Sequence, residues 1–202
     1  MRLAPLAFVL AGCSMMQPST AVVQSASDWR AVATKEDRIR LRDWRAAFTS
    51  ALSAARASGH SAEIAKEGAL LDPDSAIGGP IPNGTYRCRV IKVGAKLQGM
   101  LDYVAYPYFR CEVRQKGAVQ SFAKLDGSQR QVGIVFPNDP LRQVFLGTLM
   151  LGDEGRAMEY GVDPGRDVAG FIERLGPQRW RLVMPYPNFE SQIDVMELVP
   201  AA

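Results

Sequence analysis

The chain has 202 residues, of which 47% are hydrophobic and 22% charged, and its formal net charge is +3. This composition is that of a globular protein with a substantial core, and the small charge excludes the strongly basic character of a typical nucleic-acid-binding domain. No stretch reaches the roughly 20 apolar residues of a membrane-spanning helix. We therefore expect no nucleic-acid partner and no crossing of a membrane by the chain itself.

The N-terminus has the form of a bacterial lipoprotein signal. A positive charge at Arg2 is followed by a short apolar run and then by the sequence LAGC at residues 10–13. In such a signal the cysteine, here Cys13, becomes the new N-terminus and carries a lipid whose buried methylenes anchor the protein. We therefore predict a signal peptide over residues 1–12 and lipidation of Cys13. A plain secretory signal is the alternative.

Residues 13–27 follow the signal and are mostly small and polar. Their apolar content is too low to form a core, so we expect a flexible tether. Ser14 stands where an aspartate would mark retention in the inner membrane, and we therefore expect an outer-membrane lipoprotein that faces the periplasm. Export also bears on the remaining cysteines, because two thiols of one domain usually join in an oxidising compartment.

Residues 28–79 are predicted to form a helical segment. Thr34 has the position of an N-cap, with Asp37 in the first turn. Apolar residues then recur at three- and four-residue spacing over residues 41–55, which predicts one amphipathic helix. A shorter helix is predicted over residues 61–67. The arginines of this segment are typical of a solvated face, with contact to an anionic lipid or polysaccharide as the alternative.

From residue 80 to residue 202 the sequence predicts an antiparallel β domain, because short alternating runs are separated by turn signals without intervening helices. We expect about eight strands, near residues 85–94, 106–115, 119–126, 130–137, 143–151, 167–175, 179–185 and 190–199, and a further short strand near 157–160. Such a series forms a closed barrel or a two-sheet sandwich. We expect an α+β fold with a calycin-like barrel, the helices packing over its side or one end.

Cys88 and Cys111 lie on the apolar faces of their predicted strands, because alternate residues of a strand point to opposite faces. We predict that they form a disulfide in a hairpin that places Cys88 directly opposite Cys111 and Arg87 opposite Glu112. A zinc site or a catalytic thiol would need histidine partners. The single histidine, His60, lies in the helical segment, so we expect neither.

Catalytic signals are few. With one histidine, no phosphate-binding glycine loop and no nucleophile motif, we expect no catalytic residue, metal or cofactor. Paired carboxylates remain as an enzyme alternative. The candidates are Asp102, Glu173, Glu190, Asp194 and Glu197. Carboxylates on barrel strands more often face outward, and the sequence alone brings no two of these together.

Two predicted loop regions concentrate aromatic residues next to prolines. Their aromatic residues are Tyr103, Tyr106, Tyr108, Tyr186 and Phe189. Tyrosine combines a large apolar area with a polar tip, which suits an interface or the end of a barrel. We therefore predict these five residues as a binding surface, with the simple closing of the barrel ends as the alternative.

Several stretches resemble a known family. The sequences RLRDW at residues 40–44, GALLDPD at 68–74, YRCRV at 86–90, FLGTL at 145–149 and WRLVMPYP at 180–187 are similar to those of domain-of-unknown-function family 4893. The resemblance covers nearly all of the chain after the signal and implies a small exported envelope protein of alphaproteobacteria. It implies no activity, ligand or catalytic residue.

We therefore expect a lipid-anchored envelope protein with a non-catalytic binding role in the periplasm, for a protein partner or a small ligand. One alternative is a periplasmic hydrolase, which would bring two carboxylates together in a cleft, at least one of them buried. Another is an inhibitor of proteases, which would present the tyrosines on an exposed, ordered loop. A carrier of lipids or other small molecules would instead have a hollow apolar barrel.

Overall fold

The computed structural model describes residues 27–201. The predicted signal peptide over residues 1–12, the lipidation of Cys13 and all but the last residue of the tether lie outside the described residues. None of the helices within residues 27–201 is both long enough and apolar enough to span a bilayer.

The helical segment precedes the sheet, as predicted. It comprises α1 (Trp29–Val32), α2 (Lys35–Arg42), α3 (Trp44–Ala57), α4 (Ser61–Glu67) and a 3₁₀ turn (Gly68–Leu71).

The local signals of this segment act as the sequence indicated, with one difference. The hydroxyl of Thr34 accepts a hydrogen bond from the N–H of Asp37 at 3.2 Å and so caps α2. The predicted continuous helix is divided at Asp43, whose backbone angles are φ −94° and ψ 12°. The N–H of Asp43 still bonds to the carbonyl of Ile39 at 3.0 Å, so the division is a bend and the apolar stripe stays on one side.

Within residues 27–201, nine antiparallel strands form one sheet. They are β1 (Gly84–Ala95), β2 (Tyr103–Ala105), β3 (Phe109–Lys116), β4 (Val119–Lys124), β5 (Gln129–Phe136), β6 (Arg142–Leu151), β7 (Asp167–Gly176), β8 (Arg179–Pro185) and β9 (Ser191–Pro200). Eight of them, β1 and β3 to β9, close into a barrel because β9 pairs with β1. The predicted α+β class and the barrel are confirmed.

Two details of the strand prediction are wrong. β2 was not predicted, and it pairs with the last part of β1 as an extra strand beside the barrel. Residues 157–160 form no strand. They belong to the β6–β7 connection, where the hydroxyl of Tyr160 donates to the carboxylate of Asp37 at 2.6 Å and thereby ties the connection to α2.

A disulfide joins Cys88 to Cys111, as predicted. The predicted register is wrong, because Cys88 faces Phe109 and Arg87 faces Arg110. The disulfide therefore links diagonal neighbours, 5.9 Å apart between their Cα atoms, which the twist of the strands brings together.

The barrel interior is packed. Every barrel strand contributes buried apolar side chains to it, among them Phe122, Phe145, Trp180, Leu182 and Met184. A second apolar layer lies outside the barrel, between the helices and the outer face of β1, β6, β7, β8 and β9. The helices thus cover the side of the barrel, and the interior differs from the hollow apolar barrel that a carrier would need.

A buried ion-pair network fixes the helical segment to the barrel. The guanidinium of Arg181, which is fully buried, lies 2.6 Å from a carboxylate oxygen of Glu173, and Arg142 lies 2.5 Å from the other oxygen. Arg181 also donates to three backbone oxygens of residues 69–72 at 2.7 to 3.0 Å. The stretches GALLDPD and WRLVMPYP therefore meet in space, one supplying carbonyls and the other the arginine.

Candidate functional site

One end of the barrel is polar, and we call it the mouth. Four inward-facing side chains define it, namely Lys92 on β1, Lys124 on β4, Gln131 on β5 and Asp194 on β9. All four are buried, with exposures between 3% and 7%. Each lies on the inner face of its strand, and this face is apolar elsewhere along the strand. Lys124, for example, follows the buried Phe122 by two residues. The strands therefore change from apolar to polar at the same end of the barrel.

A cavity of about 170 Å³ lies in the mouth. Its polar wall includes Lys92, Lys124, Gln131 and Glu190, and its aromatic wall consists of Tyr106 and Phe109. A smaller lobe of about 20 Å³ continues past Lys92 and Gln131 towards Phe189. Cavities of roughly 150 Å³ are large enough for benzene, so the mouth can hold a small organic molecule.

The ammonium group of Lys124 forms no ion pair within residues 27–201. It donates to the backbone oxygens of Asp126 at 2.7 Å and Gln129 at 2.9 Å. Burial lowers the pKa of Lys124 to about 8, with Arg130 and Lys92 adding to the shift and Asp126 opposing it. Lys124 is therefore still protonated at neutral pH, and its Nζ lies 3.7 Å from the centroid of the Phe109 ring, with no carboxylate of the described residues in direct contact.

Gln131 carries a buried polar group that is not satisfied within the described residues. Its side chain is 4% exposed, and its Oε1 has no hydrogen-bond partner in the described part of the chain. A buried acceptor without a donor costs about 1–3 kcal/mol, and native proteins contain few of them. Because Gln131 lines the same cavity as Lys124, a bound donor would satisfy it.

Lys92, in contrast, is paired twice. Its Nζ lies 3.0 Å from the carboxylate of Asp194 and 3.2 Å from that of Glu190. Burial by itself lowers the pKa of Lys92, but the two carboxylates outweigh it and raise that pKa. Burial raises the pKa of Asp194, while Lys92 and the Ser191 hydroxyl stabilise its charged form. Two carboxylates, one of them buried, thus converge in the mouth, and both are engaged by the same lysine.

The loop between β8 and β9 borders the mouth in a strained conformation. Tyr186 has φ 48° and Glu190 has φ 61°, left-handed values that cost a non-glycine residue roughly 1–3 kcal/mol. Hydrogen bonds hold them there, from the N–H of Tyr186 to the carbonyl of Gln192 at 2.8 Å and from the N–H of Lys96 to the carbonyl of Glu190 at 2.9 Å. Strain of this kind clusters at ligand-binding sites.

The five aromatic residues predicted as a binding surface are divided between two places. Tyr106 and Phe189 line the mouth and its small lobe, Tyr186 lies in the bordering loop, and Tyr103 and Tyr108 lie on the outer side of the barrel. Tyr103 donates its hydroxyl to Glu67 at the end of α4, and Tyr108 donates its hydroxyl to Glu197 on β9. The structure therefore brings together part of this predicted set.

The five candidate carboxylates are also separated. Glu190 and Asp194 lie in the mouth, and Glu173 lies under the helices between two arginines. Glu197 bonds to arginines of the outer face, and Asp102 accepts from Ser58 and from the N–H of Ala95. The expectation of an outward direction is wrong for Asp194, which shares the inner face of β9 with Met196.

The residues that sequence reasoning missed are Lys92, Lys124 and Gln131. Their sequence positions carried a signal, because each occupies an inward-facing position on a strand and has apolar inward-facing residues before or after it. A polar side chain at such a position is informative when several strands carry one at the same end. That coincidence depends on the pairing of strands, which the sequence pattern did not give.

The comparisons with known proteins bear on the family alone. The sequence profile of the domain of unknown function DUF4893 matches residues 29–198, which is nearly all of the described chain. No curated protein matches the chain, and no solved structure does. The resemblance seen in the separate sequence stretches is therefore confirmed over the helices and the barrel together, and the chain belongs to the DUF4893 family.

Proposed function

We propose that this protein binds a small ligand with an anionic group in the mouth of its barrel, without catalysing a reaction on it. The observation that carries the proposal is that one cavity wall holds a buried ammonium group without a carboxylate and a buried acceptor without a donor, within residues 27–201. Lys124 offers positive charge without a carboxylate, and Gln131 offers an acceptor without a donor. A ligand that carries an anion next to an N–H or O–H group would complete both.

Binding is favoured over hydrolysis by the state of the two carboxylates in the mouth. A general acid or base needs freedom to exchange its proton with the substrate. Asp194 and Glu190 are instead both held by Lys92 at about hydrogen-bonding distance. A protease-inhibitor role is less favoured, because Tyr103 and Tyr108 lie on the side of the barrel with their hydroxyls bonded to glutamates. The predicted tyrosines therefore do not share one exposed loop.

The proposed place of action is the periplasmic face of the outer membrane, with a lipid on Cys13 as the anchor. The LAGC sequence at residues 10–13 supports it. The disulfide between Cys88 and Cys111 also supports export, because such bonds persist in oxidising compartments. Labelling of cells with palmitate tests the anchor: we expect label in the wild type and none in Cys13→Ala. Label that survives the substitution would contradict it.

Calorimetric titration of the purified protein with acetate, benzoate and inorganic phosphate at pH 7 tests the binding site. We expect at least one anion to bind, and Lys124→Met to weaken its affinity at least tenfold, as loss of a buried charge contact does. Lys116→Met is the matched control, since this exposed lysine lies on β3 at the opposite end of the barrel. Equal affinities of the two variants, or binding of no anion, would contradict the proposal.

Gln131→Leu separates a role in binding from a role in stability. Removal of a buried acceptor that has no donor should leave the free energy of unfolding unchanged or increase it. The affinity for a ligand with a donor, such as lactate, should fall, whereas that for acetate should change little. A destabilised protein with unchanged selectivity between lactate and acetate would show that Gln131 stabilises the barrel and does not contribute to ligand recognition.

A further inference from the structure

A second cavity lies beside the mouth, and we call it the side groove. It has a volume of about 250 Å³, and its apolar wall is formed by Met100, Leu101, Val104 and Tyr106. The side groove and the mouth cavity share Lys92, Tyr106 and Glu190 as lining residues. The two cavities are therefore neighbours, and one molecule can extend from one into the other past Tyr106.

The side groove is bordered by residues 96–102, which join β1 to β2 and expose apolar side chains. Leu97 is 64% exposed, Met100 40% and Leu101 70%. The backbone on either side of this loop is well anchored, since the N–H of Gly94 bonds to the carbonyl of Asp102 at 2.8 Å. An anchored loop with three exposed apolar side chains differs from the polar surface expected of a solvated turn.

The chemistry along this path changes in one direction. It begins with the unpaired ammonium of Lys124, continues along the aromatic rings of Phe109 and Tyr106, and ends on aliphatic side chains such as Leu101. Between the two ends, Lys92 is already paired with two carboxylates, those of Glu190 and Asp194. A molecule that complements the whole path has an anionic head and a hydrocarbon tail.

We propose that the ligand is a monomeric anionic amphiphile, such as a fatty acid or another acyl carboxylate, with its head beside Lys124 and its tail in the side groove. This inference rests on the proposed function and adds the class of ligand to it. The packed barrel interior places the tail outside the barrel, along residues 96–102. The protein thus takes an amphiphile at the end of its barrel, whereas a hollow barrel would enclose one.

Titration with acetate, butyrate, hexanoate and octanoate tests this inference. Each methylene group that enters the side groove should increase the affinity about fourfold, the factor that corresponds to 0.8 kcal/mol for each buried methylene. The gain should stop when the groove is filled. Lys124→Met should weaken the binding of all four ligands by a similar factor, because it changes only the site of the head group.

Leu101→Ser is the variant that separates the tail from the head. It should reduce the gain with chain length and leave the affinity for acetate unchanged, and its exposed position makes a folding defect unexpected. Leu141→Ser is the matched control, an exposed leucine that precedes β6 at the other end of the barrel. This control should keep the full dependence on chain length.

The outcomes distinguish the two proposals. Short carboxylates that bind through Lys124 with no gain from acetate to octanoate would overturn the amphiphile and leave the proposed function in place. Binding of no anion at all would overturn both. Sedimentation of the protein with phosphatidylglycerol vesicles, without a dependence on chain length for monomeric carboxylates, would overturn the inference and assign the exposed loop to a membrane surface.

Discussion

The disulfide between Cys88 and Cys111 gives a prediction whose size follows from the structure. It closes a loop with a sequence separation of 23 residues. In the chain-entropy treatment, opening a loop of this length lowers the free energy of unfolding by about 3 kcal/mol at 25 °C. The effect acts on the unfolded chain, which gains conformations once the link is removed. We therefore expect the reduced wild type to be less stable by about this amount.

The double variant Cys88→Ala/Cys111→Ala adds a packing loss to the same effect. Both sulfur atoms lie in the barrel interior, where their residues have no exposed surface. Loss of two buried atoms of this size costs about 1–2 kcal/mol more. The double variant should therefore be the least stable form, followed by the reduced wild type and then by the oxidised protein.

Urea unfolding followed by tryptophan fluorescence measures the three stabilities. Reductant added to the double variant is the control, because it should change nothing there. The reasoning would be refuted if reduction of the wild type changed the free energy of unfolding by less than 1 kcal/mol. It would also be refuted if the reduced wild type and the double variant were equally stable, since buried sulfur would then contribute no packing.

Three further predictions concern buried charges. The affinity for acetate should fall as the pH rises through about 8, because the lowered pKa of Lys124 removes its charge there; titrations from pH 6 to 10 measure this, and a constant affinity would contradict it. The free energy of unfolding of the unliganded protein should increase over the same pH range. The unfolded chain, with a lysine pKa of about 10.4, then binds more protons than the folded protein, in which the pKa of Lys124 is about 8. Glu173→Gln should cost about 3–5 kcal/mol in urea unfolding, because it leaves Arg181 buried without a countercharge. Glu112→Gln, which removes a partly exposed pair with Arg114, should cost less than about 1 kcal/mol and serves as the control.

Local chemistry made part of this fold predictable. The cap at Thr34 needs only its own neighbours, and the strands were visible from the alternation of apolar and polar residues. The disulfide followed from two cysteines on inward faces, although its diagonal register did not. β2, a strand of three residues, also carries too little pattern to be recognised.

The candidate site depends on the closure of the barrel, for which the sequence carries only a weak signal. Lys92, Lys124 and Gln131 belong to three strands, and they form one wall only because β1 to β9 curve into a barrel. The hydrogen bonds from Arg181 to the backbone carbonyls of residues 69–72 join residues more than 100 positions apart. Contacts between such distant residues leave no local pattern in the sequence. The sequence therefore indicated the helices and strands but not which of them contact each other.

The closure of the barrel also has a consequence for how the protein folds. β1 pairs with β9, the first barrel strand with the last, and Arg181 on β8 fastens the helices that precede both. Contacts of such long sequence separation slow folding, because the entropy cost of closing the long loop arises before the stabilising contacts form. A chain that emerges with its N-terminus first therefore cannot finish its core until almost its whole length is available. In that interval β1 has an open edge, which can pair with a strand of a neighbouring chain.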